Sequence, residues 1–247
     1  MKVEHMPNLG VRYWCALILA SIFGANTGDF LSDVLGLGHL AGLPVLAALL
    51  GLVFLLERHD RKPHHAYFWA AIIVIRSAAT NIGDMGHDLH LSPWVAAMTL
   101  ASVLILTLLV WAGVHRAKDP GQPGPGSLSA MPLYWWAMLV AGALGTVLGD
   151  FCSYDLGLGN LGAALALGAL LVCLFAWGRN GRLAALGLYW LTVVVIRSAG
   201  TAAGDLLAHG VFGLPLSTLV SGLAFVALLN TWRAPAEGLA SGSTETA

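Results

Sequence analysis

The sequence predicts an all-α membrane protein with eight transmembrane helices, built from four parallel helical-hairpin repeats. Its composition is the first observation behind this prediction. Of the 247 residues, 57% are hydrophobic and 10% are charged, whereas soluble domains carry about 25% charged residues. The mean hydropathy is +0.77. So little polar surface excludes a soluble globule, a disordered chain and a coiled coil, and the net charge of −1 favours no nucleic-acid partner.

An internal repeat is the second observation. Four segments align without gaps over sixteen residues, and each begins with Trp and ends with Gly-Asp: 14–29, 69–84, 135–150 and 190–205. An aromatic residue precedes each Trp. A short glycine-rich stretch and a second apolar run follow each Gly-Asp, roughly over 40–56, 94–114, 160–177 and 212–232. Each unit is therefore predicted to be a helix, a tight turn and a second helix, both near the ~20 residues that span a bilayer.

The four units fall into two similar halves. Units one and three share Gly-Asp-Phe and Leu-Gly-Leu-Gly, whereas units two and four share Ile-Arg-Ser-Ala. We expect a first half over 1–118, a Pro/Gly-rich linker over 119–132, a second half over 133–233 and a disordered tail over 234–247. Because every unit crosses the membrane twice, all four share one orientation, which makes them parallel repeats.

The basic residues predict the orientation of the chain. Two of the 12 Lys and Arg residues lie inside apolar segments, and the others lie before the first span, between units or after the last span. The positive-inside rule then places both termini in the cytoplasm. The Trp residues that begin the odd helices lie on the same side, where we expect an aromatic belt at the lipid–water interface.

The four repeated aspartates are the main candidates for an ion-binding site. They lie fifteen residues after their Trp, about 22 Å along a helix, so they form one layer in the outer third of the membrane: Asp29, Asp84, Asp150 and Asp205. Ionisable side chains at such depth are usually functional. The alternative is structural, in which each Gly-Asp caps a helix end and lets helices pack closely.

Further acidic and histidine side chains follow the aspartates. Asp33, Asp88 and His209 stand four residues after Asp29, Asp84 and Asp205, and His87 is nearby. Residues four apart share a helix face, and oxygen and imidazole ligands suit a divalent metal such as Mn²⁺ or Zn²⁺. Together with Asp150 these residues form the predicted metal-ligand set, although the sequence requires no resident cofactor.

Arg76 and Arg197 lie seven residues after their Trp, near the middle of the bilayer. A charge there costs at least ~2.5 kcal/mol, so each must face protein, water or a counter-charge. Each either pairs with an aspartate of a neighbouring unit or binds a substrate anion. Four polar side chains just before the aspartates complete the predicted substrate or ion site, unless they only join helices: Asn26, Asn81, Thr80 and Thr201.

These Trp and Gly-Asp positions carry a resemblance. Over about residues 11–233, the chain resembles a family of uncharacterised bacterial integral membrane proteins with four tandem two-span repeats. The resemblance implies an eight-span bundle in the bacterial inner membrane, and it implies no particular substrate.

Several functions remain open at this point. The first is a secondary transporter of a divalent metal cation, which uses the aspartate layer and protons as counter-ions. The second is a transporter of an anionic or organic solute held by Arg76 and Arg197, and the third is a membrane scaffold or sensor. An enzyme ranks last, because no nucleotide-binding, hydrolase or HExxH pattern is present. The expected partners are the lipid bilayer and a small ion or solute, and no feature sets an oligomeric state.

Overall fold

The computed structural model of the protein describes residue 7 and residues 9–60, 65–118, 132–178 and 186–231. The predicted tail, and the predicted linker up to residue 131, lie outside these ranges. Within them the chain is helical and contains no strand. The helices are α1 (Val11–Asp29), α2 (Gly38–His59), α3 (His65–Asp88), α4 (Pro93–Lys118), α5 (Pro132–Asp150), α6 (Gly159–Gly178), α7 (Leu186–Asp205) and α8 (Leu214–Asn230).

Seven of these helices are long and apolar enough to cross a membrane, and α8 is a shorter apolar helix of 17 residues. Large apolar side chains cover the outside of the bundle, among them Leu106, Leu165 and Leu223, each more than half exposed. Such a surface is stable in lipid and not in water. The all-helical membrane class that the sequence predicts is confirmed.

The four odd-numbered helices form a closed inner ring, in which α1 contacts α3, α3 contacts α5, α5 contacts α7, and α7 contacts α1. The even-numbered helices lie outside this ring. In the most apolar stretch of each inner helix, 50–72% of the residues are buried, compared with 11–22% in the corresponding stretches of α2, α4 and α6. The inner helices therefore carry the core, whereas the outer helices present their surface to lipid.

The main packing partner of each outer helix is not the inner helix to which its turn connects it. Helix α2 packs on α3, α4 on α5, α6 on α7, and α8 on α1. The expected packing of the two helices of a unit against each other as a hairpin is therefore not observed among the described helices. From the end of each inner helix the chain continues into an outer helix, and this outer helix packs on the next inner helix of the ring. The outer helices therefore link consecutive members of the ring.

Three of the inner helices are each followed by a short π-helical segment. These segments directly follow the Gly-Asp of α1, α5 and α7, over Phe30–Val34, Phe151–Asp155 and Leu206–Val211. Helix α3 instead remains α-helical to Asp88. The turns after the first two π segments use glycines at positive φ: Gly36, Gly38, Gly157 and Gly159. A residue without Cβ adopts this conformation at little cost, which accounts for both Leu-Gly-Leu-Gly sequences.

The inner helices contact one another through glycines near the aspartates and through aromatic rings near the repeated Trp residues. The glycine before each aspartate lies against the neighbouring inner helix; at Gly149, for example, an added Cβ would stand 2.9 Å from the Ser198 carbonyl oxygen. At the other end, the aromatic residue before each Trp contacts the Trp of the next helix, with ring centroids 5.6–5.8 Å apart: Tyr13–Trp69, Phe68–Trp135, Tyr134–Trp190 and Tyr189–Trp14.

This packing changes the interpretation of the Trp residues. We expected them at the lipid–water interface, but Trp14, Trp69 and Trp190 are buried within the aromatic cluster. Trp177, at the end of α6, is 63% exposed and remains suited to an interfacial position. The repeated Trp is therefore mainly a core residue, because its large ring fills the space where the four inner helices meet.

Candidate functional site

The inner ring encloses a polar cavity of about 320 Å³ at the end of the bundle where the Gly-Asp sequences lie. We call it the aspartate cavity. Side chains from all four inner helices line it, together with residues of the turns that follow them: Ala25, Asp29, Asp33, His39, Thr80, Asp84, His87, Asp88, Thr146, Asp150, Tyr154, Thr201, Asp205 and His209.

The four repeated aspartates meet in this cavity because each is the last residue, or nearly the last, of the regular part of its inner helix. Asp150 is 9% exposed, and Asp29, Asp84 and Asp205 are half-buried. Within the described residues, none of these carboxylates has a hydrogen-bond donor in range. They therefore face the cavity, and four like charges in one cavity repel one another unless a cation or protons compensate them.

Arg76 lies beneath the aspartates and joins three inner helices. Its Nη1 donates hydrogen bonds to Thr80 Oγ1 at 2.7 Å and Thr146 Oγ1 at 2.8 Å, and its Nη2 donates to Thr201 Oγ1 at 2.7 Å. Each of these hydroxyls also bonds to the carbonyl four residues before it. Their hydrogens are thus engaged and their lone pairs accept from Arg76, so the guanidinium forms a floor that is held through both terminal nitrogens, Nη1 and Nη2.

Arg197 occupies a different place although its sequence surroundings are the same. Its Nη2 contacts Met138 Sδ at 3.5 Å, and its Nε and Nη1 have no hydrogen-bond partner among the described residues. In the aligned units, the place of Thr146 is taken by Ala25 in α1. If Arg197 extended towards the aspartates as Arg76 does, the repeat would offer it two threonine acceptors. Arg76 has three. Arg76 occupies the place with the larger set of acceptors.

Three tyrosine hydroxyls close the opposite end of the bundle axis. The Tyr13 and Tyr189 oxygens are 2.6 Å apart, those of Tyr134 and Tyr189 are 3.2 Å apart, and those of Tyr13 and Tyr134 are 3.4 Å apart. All three side chains are fully buried. Phe68 holds the fourth equivalent place and has no hydroxyl. We call this group the tyrosine trio.

The sequence pointed to most of the residues in this cavity. Ten of them line it: Asp29, Asp33, Asp84, Asp88, Asp150, Asp205, His87, His209, Thr80 and Thr201. Arg76 lies at the floor, and Arg197 lies deeper along the axis. The two asparagines point elsewhere: Asn26 donates to Ser217 Oγ of α8 at 2.5 Å, and Asn81 donates to the His39 carbonyl oxygen at 3.4 Å. They join inner helices to outer elements.

Pairing of each arginine with an aspartate, one of the two alternatives for these residues, is not found among the described residues. Within the described ranges, no carboxylate lies within 4 Å of Arg76 or Arg197. Elsewhere, His39 Nδ1 lies 2.8 Å from Asp88 Oδ2, a contact that is an ion pair when the imidazole is protonated. This pair links the first turn of α2 to the end of α3 at the mouth of the cavity. The arginines are instead held by hydroxyl and thioether groups.

The predicted metal ligands are near one another but are not gathered into a preformed metal site. Among the described residues, no three His, Cys, Asp or Glu side chains stand close enough to hold one ion. The repeat distributes the aspartates around the cavity wall, one on each inner helix. An ion at the centre would therefore reach them through its own water shell or after a rearrangement.

Four lining residues were not in the predicted site: Ala25, His39, Thr146 and Tyr154. Thr146 was detectable, because it is aligned with Thr80 and Thr201 one turn before the aspartate of its unit. His39 and Tyr154 lie in or next to the turns, whose path depends on the π segments, and no periodic pattern marks them. The tyrosine trio had a signal as well, in the aromatic residue that precedes each Trp.

A family model matches the chain over residues 12–62, 133–182 and 188–236, which together make up more than half of it. The matched segments contain units one, three and four, the units whose inner helices end in π segments. No curated protein and no solved structure matches the chain. The chain belongs to the family described as Repeat of Unknown Function (DUF347).

Proposed function

We propose that the protein is a membrane transporter of a divalent metal cation, of the Mn²⁺ type, and that the aspartate cavity is its binding site. One observation carries the proposal: four carboxylates from four different helices converge on one cavity and face no donor within the described chain. Arg76 beneath the cavity supplies one positive charge, so three of these four negative charges remain uncompensated by it when all four are ionised. A divalent cation removes most of this repulsion.

The size of the cavity supports a cation that keeps its water. Six waters occupy about 180 Å³ at ~30 Å³ each, which is well within the 320 Å³ of the cavity. Small divalent ions lose their water reluctantly and are often bound through a few carboxylates and retained waters. Carboxylates around the wall, with His87 and His209 at the mouth, suit such a hydrated ion.

A scaffold or sensor is the second candidate, and a specific observation favours it. Arg76 joins α3, α5 and α7 through three hydrogen bonds, which is also how a purely structural residue would act. The two candidates differ in the role of the aspartates. A transporter requires them to bind the metal ion, whereas a scaffold requires no metal affinity in the cavity. Transport of an anion by Arg76 is disfavoured, because its Nη1 and Nη2 already donate to threonines and the carboxylates above it would repel the anion.

The proposal includes the finer architecture. The chain is proposed to carry four copies of a two-helix unit, including unit two, and to cross the bacterial inner membrane eight times. Both termini are proposed to be cytoplasmic, so the aspartate cavity opens to the periplasm and the tyrosine trio lies on the cytoplasmic side. The location of the Lys and Arg residues outside the turns within units supports this orientation.

The experiment is uptake of radiolabelled Mn²⁺ into proteoliposomes, with and without a pH gradient. The wild-type protein is expected to carry Mn²⁺ above protein-free vesicles. The Asp84→Asn/Asp205→Asn double variant is expected to reduce the initial rate by at least about tenfold, because each lost carboxylate removes a charge-assisted contact worth ~1.5–3 kcal/mol.

Asp155→Asn provides the matched control, because Asp155 is exposed and is not among the lining residues. This variant is expected to transport like the wild type. Equal uptake by the wild type, the double variant and empty vesicles would reject transport. Binding of Mn²⁺ that is the same in the wild type and the double variant would remove the cavity as the site.

A further inference from the structure

Arg197 is a buried cation whose hydrogen-bonding capacity is largely unused. Its side chain is fully buried, and its Nε and Nη1 have no hydrogen-bond partner in the part of the chain that the structure describes. The remaining contact, from Nη2 to Met138 Sδ at 3.5 Å, is to a weak acceptor. Buried donors without acceptors are costly, and an unpaired charge inside a membrane protein costs more. The residue therefore lacks a partner that is both an acceptor and an anion.

The aspartates do not fill this role. Arg76 lies between Arg197 and the aspartate cavity, since its guanidinium extends to the threonines one turn nearer the aspartates. Arg197 extends the other way, to Met138, which precedes Thr146 by two turns of α5. It also lies within electrostatic range of the tyrosine trio. Neutral hydroxyls and a thioether do not balance a full positive charge.

A second unpartnered group lies at the same level of the ring. Ser21 is aligned with Arg76 and Arg197, seven residues after its Trp. Its Oγ is buried and has no hydrogen-bond partner within the described ranges, and it stands against Gly200, three residues after Arg197 on α7. Within the same ranges, Arg76 Nε, which lies at this level too, also has no partner. Donors therefore outnumber acceptors at this level of the axis.

We propose that Arg197 binds a small monovalent anion of the size of chloride, on the bundle axis between Arg76 and the tyrosine trio. The anion accepts hydrogen bonds from the guanidinium and neutralises its charge. This site is separate from the aspartate cavity and does not depend on cation transport. Its ligand class is the small halides, because a larger oxyanion needs more hydrogen-bond donors and more room than the close helix packing at Gly145 and Gly200 leaves.

The test is thermal unfolding of the detergent-purified protein in sodium chloride, sodium bromide and sodium gluconate at equal ionic strength. The wild-type midpoint is expected to rise with chloride or bromide and to stay constant in gluconate, because a ligand that binds the folded state stabilises it by mass action. Arg197→Met is expected to lose this response. Arg58→Met, the same change at an exposed position, is expected to keep it.

Identical wild-type midpoints in chloride and gluconate would overturn the proposal, as would a full chloride response in Arg197→Met. If that variant does not fold, bromide-soaked crystals of the wild type decide the question. An anomalous peak within hydrogen-bond distance of the Arg197 guanidinium supports the site, and its absence overturns it. Neither readout involves Mn²⁺ or the aspartates, so failure here leaves the proposed cation transport standing, and the converse also holds.

Discussion

Arg76 and Arg197 lie in identical Ile-Arg-Ser-Ala sequences, yet one has three strong acceptors and the other has a thioether. The difference comes from residues on other helices. Ala25 stands where Thr146 would be needed for a second complete set of acceptors, and Leu17 stands in the place that Met138 has in α5. These two positions, which differ between units one and three, give the two arginines different acceptors.

Replacement of Thr146 by Val tests the role of this threonine. The variant removes one of three acceptors from a buried guanidinium, so it is expected to destabilise the protein by about 1.5–3 kcal/mol. The measurement is the free energy of unfolding in mixed detergent micelles. Thr107→Val is the control, because the Thr107 hydroxyl bonds to the Val103 carbonyl of its own helix. An equal loss in both variants would contradict the account of Arg76.

Gly145 tests the close packing beside Arg197. An added Cβ would collide with Arg197 Cβ. It would also stand 3.0 Å from the backbone carbonyl carbon of Arg197, which cannot move aside as a flexible side chain can. Gly145→Ala is therefore expected to cost about 1–3 kcal/mol of stability. Gly113→Ala, where the added methyl group meets nothing within 4 Å, is expected to stabilise α4 by about 0.5–1 kcal/mol. The opposite order of stabilities would be incompatible with this packing.

The arrangement of the helices follows from the sequence only in part. The repeated Trp, Gly and Asp positions predict eight helices and a shared layer of aspartates, because both rest on local spacing. The choice of packing partner does not follow, since the turns are short and their direction depends on π segments and on glycines at positive φ. Nothing in the periodicity of α2 indicates that it packs on α3 rather than on α1.

The docking of α8 on α1 provides a test at this scale. Asn26 Nδ2 donates to Ser217 Oγ at 2.5 Å, and Thr218 donates to the Asn26 carbonyl oxygen at 3.3 Å. A double-mutant cycle with Asn26→Ala and Ser217→Ala is expected to give a coupling energy of about 0.6–1.7 kcal/mol. Ser102, whose hydroxyl bonds within α4, supplies the control pair with Asn26, for which no coupling is expected. Zero coupling between Asn26 and Ser217 would contradict the docking.

The whole molecule is polarised along the bundle axis. Four carboxylates lie at one end, two arginines lie near the middle and three hydroxyls close the other end. The sequence predicted the carboxylate end, since an aspartate recurs in every unit. It did not predict that the arginines avoid the aspartates or that Asn26 and Asn81 face outer elements, because side-chain direction depends on the rotation of each helix within the ring.

The orientation of this polarised molecule is testable in cells. The three native cysteines, Cys15, Cys152 and Cys173, are first replaced by Ala. A single cysteine is then introduced at Asp155 or at Arg58, which lie at the two ends of the bundle. A membrane-impermeant maleimide added to intact cells is expected to label Asp155→Cys and to leave Arg58→Cys unlabelled until the membrane is opened. The reverse pattern would invert the topology and place the aspartate cavity on the cytoplasmic side.

The most direct measurement is anomalous scattering from crystals of the wild-type protein soaked in Mn²⁺. The proposed function predicts a manganese peak inside the aspartate cavity, between Asp29, Asp84, Asp150 and Asp205, that disappears in the Asp84→Asn/Asp205→Asn variant and persists in Asp155→Asn. A cavity without manganese density at concentrations that support uptake, or an equal peak in the double variant, would contradict the assignment of the aspartates as the cation-binding site.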